Sequence, residues 1–400
     1  MNKTRVGIIG QGYVGLNLAY LAAPHYQITG FDNNEILVKK LNEGTSQIEG
    51  VDGKILKNYV YEGAYTASTD FRMLRNQQVI VIAVPTPLDA NREPDLSYLL
   101  QAAENIGKYA SEGTLIINES TSFPGTLREL IIPTISSISS SALYFASSPE
   151  RINPGSSNLD SFDTPRLVSG IDQESTKRAL NFYKKFTPSL TKTSSPEIAE
   201  MAKILENTFR QVNIGLVNEL ALICSKFGLN IFEVIEAAST KPFGFMKFLP
   251  SMGVGGHCIP IDPIYLKAKA NKIGVKTQFI DLANSINREM PMRIVEKIQE
   301  DISIENKKIT IVGLAYKSNV ADTRESPALE IISILKSLNC KVYWHDPVVK
   351  EFKGEISQPL GNSDIYIINT LHDEIDIRDL ESLDGYVFDC TGRVKNAETF

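Results

Sequence analysis

The chain has 400 residues, of which 42% are hydrophobic and 22% charged, and a formal net charge of -6 at pH 7. The composition is that of a globular protein, and the length indicates two or three packed units rather than one core. The net negative charge argues against a nucleic-acid-binding protein. Its apolar runs are too short to cross a bilayer, and its four cysteines lie too far apart for a disulfide framework or a zinc site. We therefore expect a cytoplasmic protein with no metal and no membrane contact.

The first part of the chain alternates short apolar segments with helical patterns. The pattern predicts strands over 6–9, 27–31, 78–84, 114–118 and 143–146 and a first helix over 15–23. Nearly continuous apolar strands separated by helices are typical of a parallel, doubly wound sheet, because helices cover both of its faces. We expect this unit to occupy residues 1–192.

A glycine-rich turn joins the first strand to the first helix. Its sequence, Gly10-Gln11-Gly12-Tyr13-Val14-Gly15, matches G-x-G-x-x-G, in which the glycines permit a tight turn, close approach of a pyrophosphate and close helix packing. Asp32 ends the second strand, where a carboxylate binds the ribose hydroxyls and repels a 2′-phosphate. The motif therefore predicts an NAD site, and a merely tight strand-to-helix turn is the alternative.

The turn after the third strand reads Val84-Pro85-Thr86-Pro87. It lies at the carboxyl edge of the predicted sheet, where ligands bind in this architecture. By its residues alone it indicates no more than a rigid turn that ends a strand.

A long helix is predicted from Ser194-Ser195-Pro196-Glu197, which supplies an N-cap serine, an early proline and a capping-box glutamate. Its apolar positions include Met201, Leu205, Phe209, Val212, Leu216, Leu220 and Ile223, and it should stop at Gly228. Because it is apolar almost all round, we expect it to be buried, either in a dimer interface or inside one subunit.

Three polar residues of this helix, Lys203, Asn207 and Arg210, share one face. A solvated face is the usual meaning of such a stripe. On a helix that is otherwise apolar, the stripe instead predicts an internal polar site, where an ammonium group can stabilise an oxyanion.

The segment 253–258 places Cys258 after three glycines. Asp262-Pro263 predicts an N-cap with proline at the first position of a helix over 264–270. A thiol near a helix N-terminus is more readily ionised, so Cys258 is a candidate nucleophile; a small buried hydrophobic residue is the alternative. Asp262 is either a cap or a catalytic residue.

Beside a nicotinamide, a thiol nucleophile indicates oxidation of an alcohol to an aldehyde, thiohemiacetal formation, oxidation to a thioester and hydrolysis.

The last hundred residues repeat the alternation of apolar strands and helices seen in the first part of the chain. Strands are predicted over 308–313, 341–346, 364–369 and 385–389. The fold class is therefore α/β, with two Rossmann-like doubly wound parallel-sheet domains joined by a long central helix and a small helical domain. We place the central domain at residues 193–298 and the C-terminal domain at residues 299–400.

These motifs, in this order, resemble the UDP-glucose/GDP-mannose dehydrogenase family of NAD-dependent four-electron oxidoreductases. The matching segments are 10–16, 84–87, 119–121, 124–126, 148–151, 203–210, 255–258, 313–317 and 322–326. The resemblance implies that Cys258 is the nucleophile and that Lys203 and Asn207 stabilise oxyanions. It also implies that Glu150 assists thioester hydrolysis and that Thr121 and Asp262 hold a water molecule.

The resemblance further implies two sets of binding residues. Implied NAD contacts are Gly10, Gly12, Tyr13, Val14, Gly15, Asp32, Thr86, Thr121 and Arg324. Implied substrate contacts are Glu150, Arg151, Lys203, Asn207, Arg210, Phe245, Gly255 and Lys317. The C-terminal domain would bind UDP, and the central helix would form a homodimer.

The amino-acid sequence of residues 241–245 and 255–260 resembles that of family members that oxidise UDP-N-acetylhexosamines more than that of UDP-glucose enzymes. We therefore predict a UDP-N-acetylglucosamine type 6-dehydrogenase that makes a uronic acid for surface polysaccharide. A UDP-glucose 6-dehydrogenase is the alternative. A two-electron alcohol dehydrogenase with a structural Cys258, or a non-catalytic NAD-binding protein, is a more distant one.

Overall fold

A computed structural model describes residues 3–46, 48, 50–151 and 164–400. The chain separates into two compact units, with the boundary between Glu206 and Asn207. In the described ranges, no helix combines the length and the apolar character that a membrane span requires.

The first unit is built on an eight-stranded sheet. Its strands are β1 (Arg5–Ile9), β2 (Gln27–Phe31), β3 (Tyr65–Ser68), β4 (Val79–Ile82), β5 (Leu115–Asn118), β6 (Tyr144–Ser147), β7 (Arg166–Gly170) and β8 (Leu190–Lys192). They lie in the order β3-β2-β1-β4-β5-β6-β7-β8. The β6–β7 pair is antiparallel, whereas the other pairs are parallel.

Helices cover both faces of this sheet. They are α1 (Tyr13–Ala22), α2 (Glu35–Asn42), α3 (Gly53–Tyr61), α4 (Ser97–Tyr109), α5 (Ile132–Ser136) and α6 (Gln173–Tyr183). In β4, Val79 and Val81 join one buried apolar cluster, whereas Ile80 and Ile82 join another. Successive side chains of a strand point to opposite faces, so a strand covered on both sides is apolar throughout. The predicted doubly wound sheet is confirmed.

The second unit contains a four-stranded parallel sheet in the order β10-β9-β13-β14. Its strands are β9 (Lys308–Val312), β10 (Lys341–His345), β13 (Ile365–Ile368) and β14 (Tyr386–Asp389), with a short hairpin of β11 (Glu351–Phe352) and β12 (Glu355–Ile356). The helices wholly inside this unit are α8 (Ile231–Ser239), α9 (Asp262–Lys272), α10 (Gln278–Asp301), α11 (Pro327–Ser337) and α12 (Ile377–Glu381). The predicted second Rossmann-like sheet is therefore present.

The long central helix, α7 (Pro196–Lys226), crosses the boundary between the units. It ends before Gly228, which has a φ of +69°. Five of its predicted apolar residues are 39–58% exposed in the single chain: Leu205, Phe209, Leu216, Leu220 and Ile223. Burial of these residues inside one subunit is wrong. Apolar periodicity indicates that a helix face is covered, but it does not say by which chain.

Candidate active site

The glycine turn follows β1 at the point where the strand order of the first sheet reverses, which is where doubly wound sheets bind ligands. Gly10 has a φ of +91°, and a Cβ on Gly15 would lie 1.8 Å from the carbonyl oxygen of Gly10. Helix α1 can therefore approach the turn this closely only because residue 15 has no side chain. Among the described residues, apart from Gly12 itself and its neighbours in the chain, no heavy atom lies within 4 Å of the position that a Cβ of Gly12 would take. The helix N-terminus at Tyr13 thus faces open space that suits a pyrophosphate.

Asp32 lies beside this turn, immediately after β2. Its carboxylate accepts hydrogen bonds from the backbone N–H of Gln11 and of Asn34, each at 2.9 Å. These bonds hold the carboxylate at the sheet edge, where a ribose would lie. The turn and Asp32 together fit a dinucleotide.

Gln11 is a structural residue of this turn that the motif did not identify. Its side chain is fully buried, and Nε2 donates to the carbonyl oxygens of Ile8 and Gly10, each at 3.0 Å. Its Oε1 accepts a hydrogen bond from the Tyr65 hydroxyl at 2.8 Å. Gln11 occupies a variable position of the motif, so only the structure reveals this role.

The two glycines give a matched pair of variants. We expect Gly12→Ala to raise the Kd for NAD by about tenfold or more, because a methyl group would occupy the space of the pyrophosphate. Its melting temperature without NAD should not change. We expect Gly15→Ala to lower the free energy of unfolding by about 3 kcal/mol, because the added methyl overlaps the backbone of Gly10. Calorimetric titration with NAD and urea unfolding measure the two effects, and variants that behave alike would contradict this assignment.

A buried ionic cluster lies at the ends of β5 and β6. One nitrogen of the Arg166 guanidinium pairs with Glu119 at 2.9 Å, and the other pairs with Glu150. The Tyr183 hydroxyl donates to the same oxygen of Glu119. Glu119 is 1% exposed and Glu150 is 8% exposed. Two carboxylates therefore share one guanidinium, which orients Glu150 away from bulk water.

Desolvation raises the pKa of Glu119 to about 7, although the charge of Arg166 opposes the rise. Between this value and the ordinary carboxyl pKa, the native state binds more protons than the unfolded state. Its free energy of unfolding should therefore fall as the pH rises from about 5 to 7.5. We expect Glu119→Gln to remove part of this fall.

The test is the urea midpoint of the wild type and the variant at several pH values across that window. The exposed Glu104, which pairs only weakly with Lys108 at 3.9 Å, gives the control Glu104→Gln. Curves for wild type and Glu119→Gln that stay parallel would show that Glu119 does not titrate there.

Side chains in the first part of α7 form hydrogen bonds with the loop after β5. The Lys203 ammonium donates to the Thr121 hydroxyl, and Lys203 is only 7% exposed. One turn earlier, the buried carboxylate of Glu200 accepts from the backbone N–H of Gly125 at 2.7 Å and of Leu127 at 3.2 Å. Two predicted catalytic residues, Thr121 and Lys203, are therefore brought together.

In the second unit, Cys258 precedes α9. Its side chain is exposed, whereas Cys224, Cys340 and Cys390 are buried. The carbonyl of Cys258 accepts from the backbone N–H of Asp262 at 2.8 Å and of Ile261 at 3.1 Å. The thiol is therefore accessible at a helix N-terminus, and its alternative interpretation as a buried hydrophobic residue is wrong.

Asp262 is the first residue of α9, and Ile261 occupies the N-cap position, which corrects the predicted capping role of Asp262. Asp262 is 2% exposed, and its carboxylate accepts a hydrogen bond from the Asn207 amide at 2.5 Å. The first turn of a helix can hold an acidic side chain without a cap, because its N–H dipoles favour negative charge. Asn207 and Asp262, both predicted catalytic residues, are thus in contact.

The glycines before Cys258 pack against the loop after β9. A Cβ on Gly255 would lie 2.6 Å from Cβ of Tyr316, and one on Gly256 would lie 2.8 Å from its ring. The backbone N–H of Gly256 also donates to the carbonyl of Arg324 at 3.0 Å. The cysteine segment and the loop that carries Lys317 and Arg324 therefore touch, and only glycine permits this approach.

The other predicted site residues are less closely grouped. Arg151 forms two hydrogen bonds with Glu206, at 3.0 and 2.6 Å, and Arg324 is held by Asp322. Thr86 is buried after β4, whereas Arg210 and Phe245 lie at the surface. Sequence reasoning missed Arg166, Tyr183 and Glu200, because a buried ionic partner distant in the chain leaves no local pattern.

Comparison with known proteins covers nearly the whole chain. Models of the UDP-glucose/GDP-mannose dehydrogenase family match in order: the NAD binding domain over residues 4–187, the central domain over 197–289 and the UDP binding domain over 310–396. The UDP-N-acetyl-D-mannosamine dehydrogenase of Methanococcus vannielii is 34% identical over 393 residues, which cover 95% of this chain and 89% of that protein. The UDP-N-acetyl-D-glucosamine 6-dehydrogenase of Pseudomonas aeruginosa is 35% identical over 361 residues, which cover 87% of this chain and 84% of that protein.

A solved structure gives the same assignment. The UDP-D-ManNAc dehydrogenase from Pyrococcus horikoshii has a TM-score of 0.84 to this chain at 31% identity, and the match covers 96% of this chain and 95% of that one. The matched domains include the one that binds NAD, where the geometry of the glycine turn and Asp32 fits a dinucleotide. The chain therefore belongs to the UDP-glucose/GDP-mannose dehydrogenase family and is an NAD-dependent nucleotide-sugar dehydrogenase.

Proposed function

We propose that this enzyme oxidises the C6 hydroxyl of a UDP-N-acetylhexosamine to the uronic acid through a thioester on Cys258, for surface polysaccharide synthesis. The observation that carries the chemistry is an exposed Cys258 just before α9, one turn ahead of the buried Asp262 and its hydrogen bond with Asn207. Relatives that act on UDP-N-acetylhexosamines, at 34–35% identity along most of the chain, support the substrate class.

The glycine turn and Asp32 would hold NAD, which would supply the hydride acceptor for both oxidations. The Cys258 sulfur forms a bond to the aldehyde carbon made in the first oxidation, and the carbonyl oxygen becomes the hydroxyl of a thiohemiacetal. Loss of a second hydride from that carbon, together with the hydroxyl proton, leaves a thioester. Water then adds to the thioester carbonyl, the C–S bond breaks, and the thiol and a carboxylate are released.

Four residues serve this sequence in two hydrogen-bonded pairs. Lys203 and Asn207 donate to the oxyanion that forms at each addition. Thr121, which Lys203 contacts, and Asp262, which Asn207 contacts, hold the attacking water. Glu150 receives the proton of that water, and Arg166 orients its carboxylate.

The remaining predicted residues supply binding. We assign Gly10, Gly12, Tyr13, Val14, Gly15, Asp32, Thr86, Thr121 and Arg324 to NAD. Arg151, Arg210, Phe245, Gly255 and Lys317 are assigned to the nucleotide sugar, with Glu150, Lys203 and Asn207 at its reacting end.

The substrate assignment is tested by kcat/KM for a panel of UDP-N-acetylglucosamine, UDP-N-acetylmannosamine, UDP-N-acetylgalactosamine, UDP-glucose and GDP-mannose. We expect an N-acetylhexosamine to exceed UDP-glucose by at least about tenfold, which corresponds to about 1.4 kcal/mol of transition-state binding. The order of the N-acetylhexosamines identifies the epimer, and preference for UDP-glucose would overturn the substrate class.

We further propose that the enzyme is a homodimer that pairs through the exposed stripe of α7. This stripe comprises Ile198, Leu205, Phe209, Leu216, Leu220 and Ile223, which are 39–58% exposed. Neighbouring members lie three, four or seven residues apart, which is about one or two helical turns, so they share one face of the helix. A contiguous apolar face of this length marks an interface, and pairing with the same face of a second copy gives a closed assembly.

Light scattering tests the dimer. We expect the purified enzyme to have twice the 44.3 kDa mass of one chain, and Leu216→Glu to shift it toward the monomer. Leu338, which is 39% exposed outside α7, gives the control Leu338→Glu. A wild-type monomer, or a Leu216→Glu variant that remains dimeric at micromolar concentration, would overturn this interface.

A further inference from the structure

We propose that His372 is a positioning residue for nucleotide-sugar binding, because it closes a ring of hydrogen bonds that fixes the loop carrying Lys317. The ring runs from the backbone of Ala315 through Asp346 and His372 to the backbone of Asn319. The proposal rests on the role assigned to Lys317 under the proposed function.

Asp346 is the first member of the ring. It follows β10, as Asp32 follows β2, and is fully buried. One carboxylate oxygen accepts from the backbone N–H of Leu314 at 2.8 Å and of Ala315 at 3.0 Å. Burial acts to raise the pKa of Asp346, but hydrogen bonds from His372 and from backbone amides outweigh it and lower the pKa. Asp346 is therefore an ionised acceptor that holds the start of the loop.

His372 is the second member, and its side chain is fully buried. Its Nδ1 accepts the backbone N–H of Asn319 at 2.9 Å. A backbone N–H can only donate, so Nδ1 carries no proton and the neutral ring carries its proton on Nε2. Nε2 lies 3.1 Å from the Asp346 carboxylate and donates to it. The two contacts thus fix the tautomer as well as the orientation of the ring.

Asn319 closes the far end of the loop. It has a φ of +62°, and its side chain forms two hydrogen bonds with Asp373, one with the carboxylate at 2.8 Å and one with the backbone N–H at 2.9 Å. At the near end, the carbonyl of Ala315 accepts from the Thr370 hydroxyl at 2.9 Å. Lys317 lies midway between the two anchored ends.

The consequence concerns binding more than chemistry. A loop that is already ordered loses less conformational entropy when a ligand binds, so it binds more tightly. The Cys258 segment contacts this loop beside its Ala315 end, at Tyr316, and beyond Asn319, at Arg324. The Asp346 bonds to Leu314 and Ala315 still hold the Ala315 end when Asn319 is released. Loosening the loop at Asn319 should therefore raise KM for the nucleotide sugar more than it lowers kcat.

Two conservative variants each remove one of the two contacts of His372 and keep the other. In His372→Asn, the amide oxygen lies close to the position of Nδ1 and can still accept from Asn319, whereas the donor to Asp346 is lost. In His372→Gln, the amide nitrogen lies close to the position of Nε2 and can still donate to Asp346, whereas Asn319 loses its acceptor. Asp346 keeps its backbone donors in both variants, including Leu314 and Val349, so both should fold.

We expect His372→Gln to raise KM for the UDP-sugar and the Kd for UDP about five- to tenfold, with KM for NAD unchanged and kcat within about threefold. His372→Asn should restore both values to within about twofold of the wild type. Hydrogen exchange of residues 314–326, measured without ligand, should be faster in His372→Gln only. The control is His345→Gln, since His345 bonds to the carbonyl of Gln358 outside the ring.

Equal KM values and equal exchange in the two His372 variants would overturn the positioning role, as would a loss confined to kcat. A wild-type enzyme that fails to bind UDP would instead contradict the proposed role of the second unit in binding the nucleotide sugar. The exchange comparison still decides whether the ring orders the loop in that case.

Discussion

Replacing Cys258 by serine is expected to lower NAD-dependent turnover of the UDP-sugar by about 10³-fold or more. A hydroxyl is a much weaker nucleophile than a thiolate, and the thioester route needs a covalent bond to sulfur. The Kd for NAD should not change, because the glycine turn that we assign to NAD lies in the other unit of the chain. Initial rates of NADH release and calorimetric titration with NAD measure the two quantities.

A second cysteine provides the control for this variant. Cys224 is buried in α7 and belongs to the apolar core of the second unit, so Cys224→Ala should change stability rather than turnover. If Cys258→Ser kept turnover within about twofold of the wild type, Cys258 would be structural and the enzyme would be a two-electron alcohol dehydrogenase.

Replacing Lys203 by methionine is expected to lower kcat by about 10²- to 10³-fold, with a much smaller change in KM. The ammonium group is nearly buried against Thr121, where charge that develops on a substrate oxygen is weakly screened. An interaction made mainly in the transition state affects kcat more than binding. Steady-state kinetics with the sugar and NAD varied in turn separate the two parameters.

Lys226 is the matched control, because it lies on the same helix but is exposed and pairs with Glu300 at 2.7 Å. Lys226→Met should leave kcat unchanged. A Lys203→Met enzyme with a raised KM and a normal kcat would show that Lys203 only binds substrate. Its melting curve should be recorded as well, since removal of a buried charge also changes stability.

Local patterns allowed part of this structure to be predicted. The glycine turn, Asp32 and the strands around them depend on residues close together in the chain, and each has a backbone reason to be where it is. The antiparallel pairing of β7 was not predicted. Strand direction depends on the connection between strands, which has no periodic sequence pattern. Helix α7 was recognised as a helix, but its apolar pattern left open whether a second copy or the same chain covers its apolar face, and that face is exposed in the single chain.

The buried polar contacts escaped prediction for a different reason. Arg166 meets Glu119 across 47 residues, and His372 meets Asp346 across 26. Each pair satisfies a buried charge or hydrogen-bonding group at long range, and a single sequence gives no signal for such a partner. Cys258 could be singled out because its glycines and the following helix form a local pattern, whereas the helix geometry corrected the role of its neighbour Asp262.

The most direct test of the four-electron chemistry is the number of NADH molecules released per molecule of limiting UDP-N-acetylhexosamine. Each hydride transfer reduces one nicotinamide, so complete oxidation to the uronic acid predicts about two NADH per sugar. A value of about one would mean that the aldehyde leaves the enzyme, and it would contradict the thioester on Cys258.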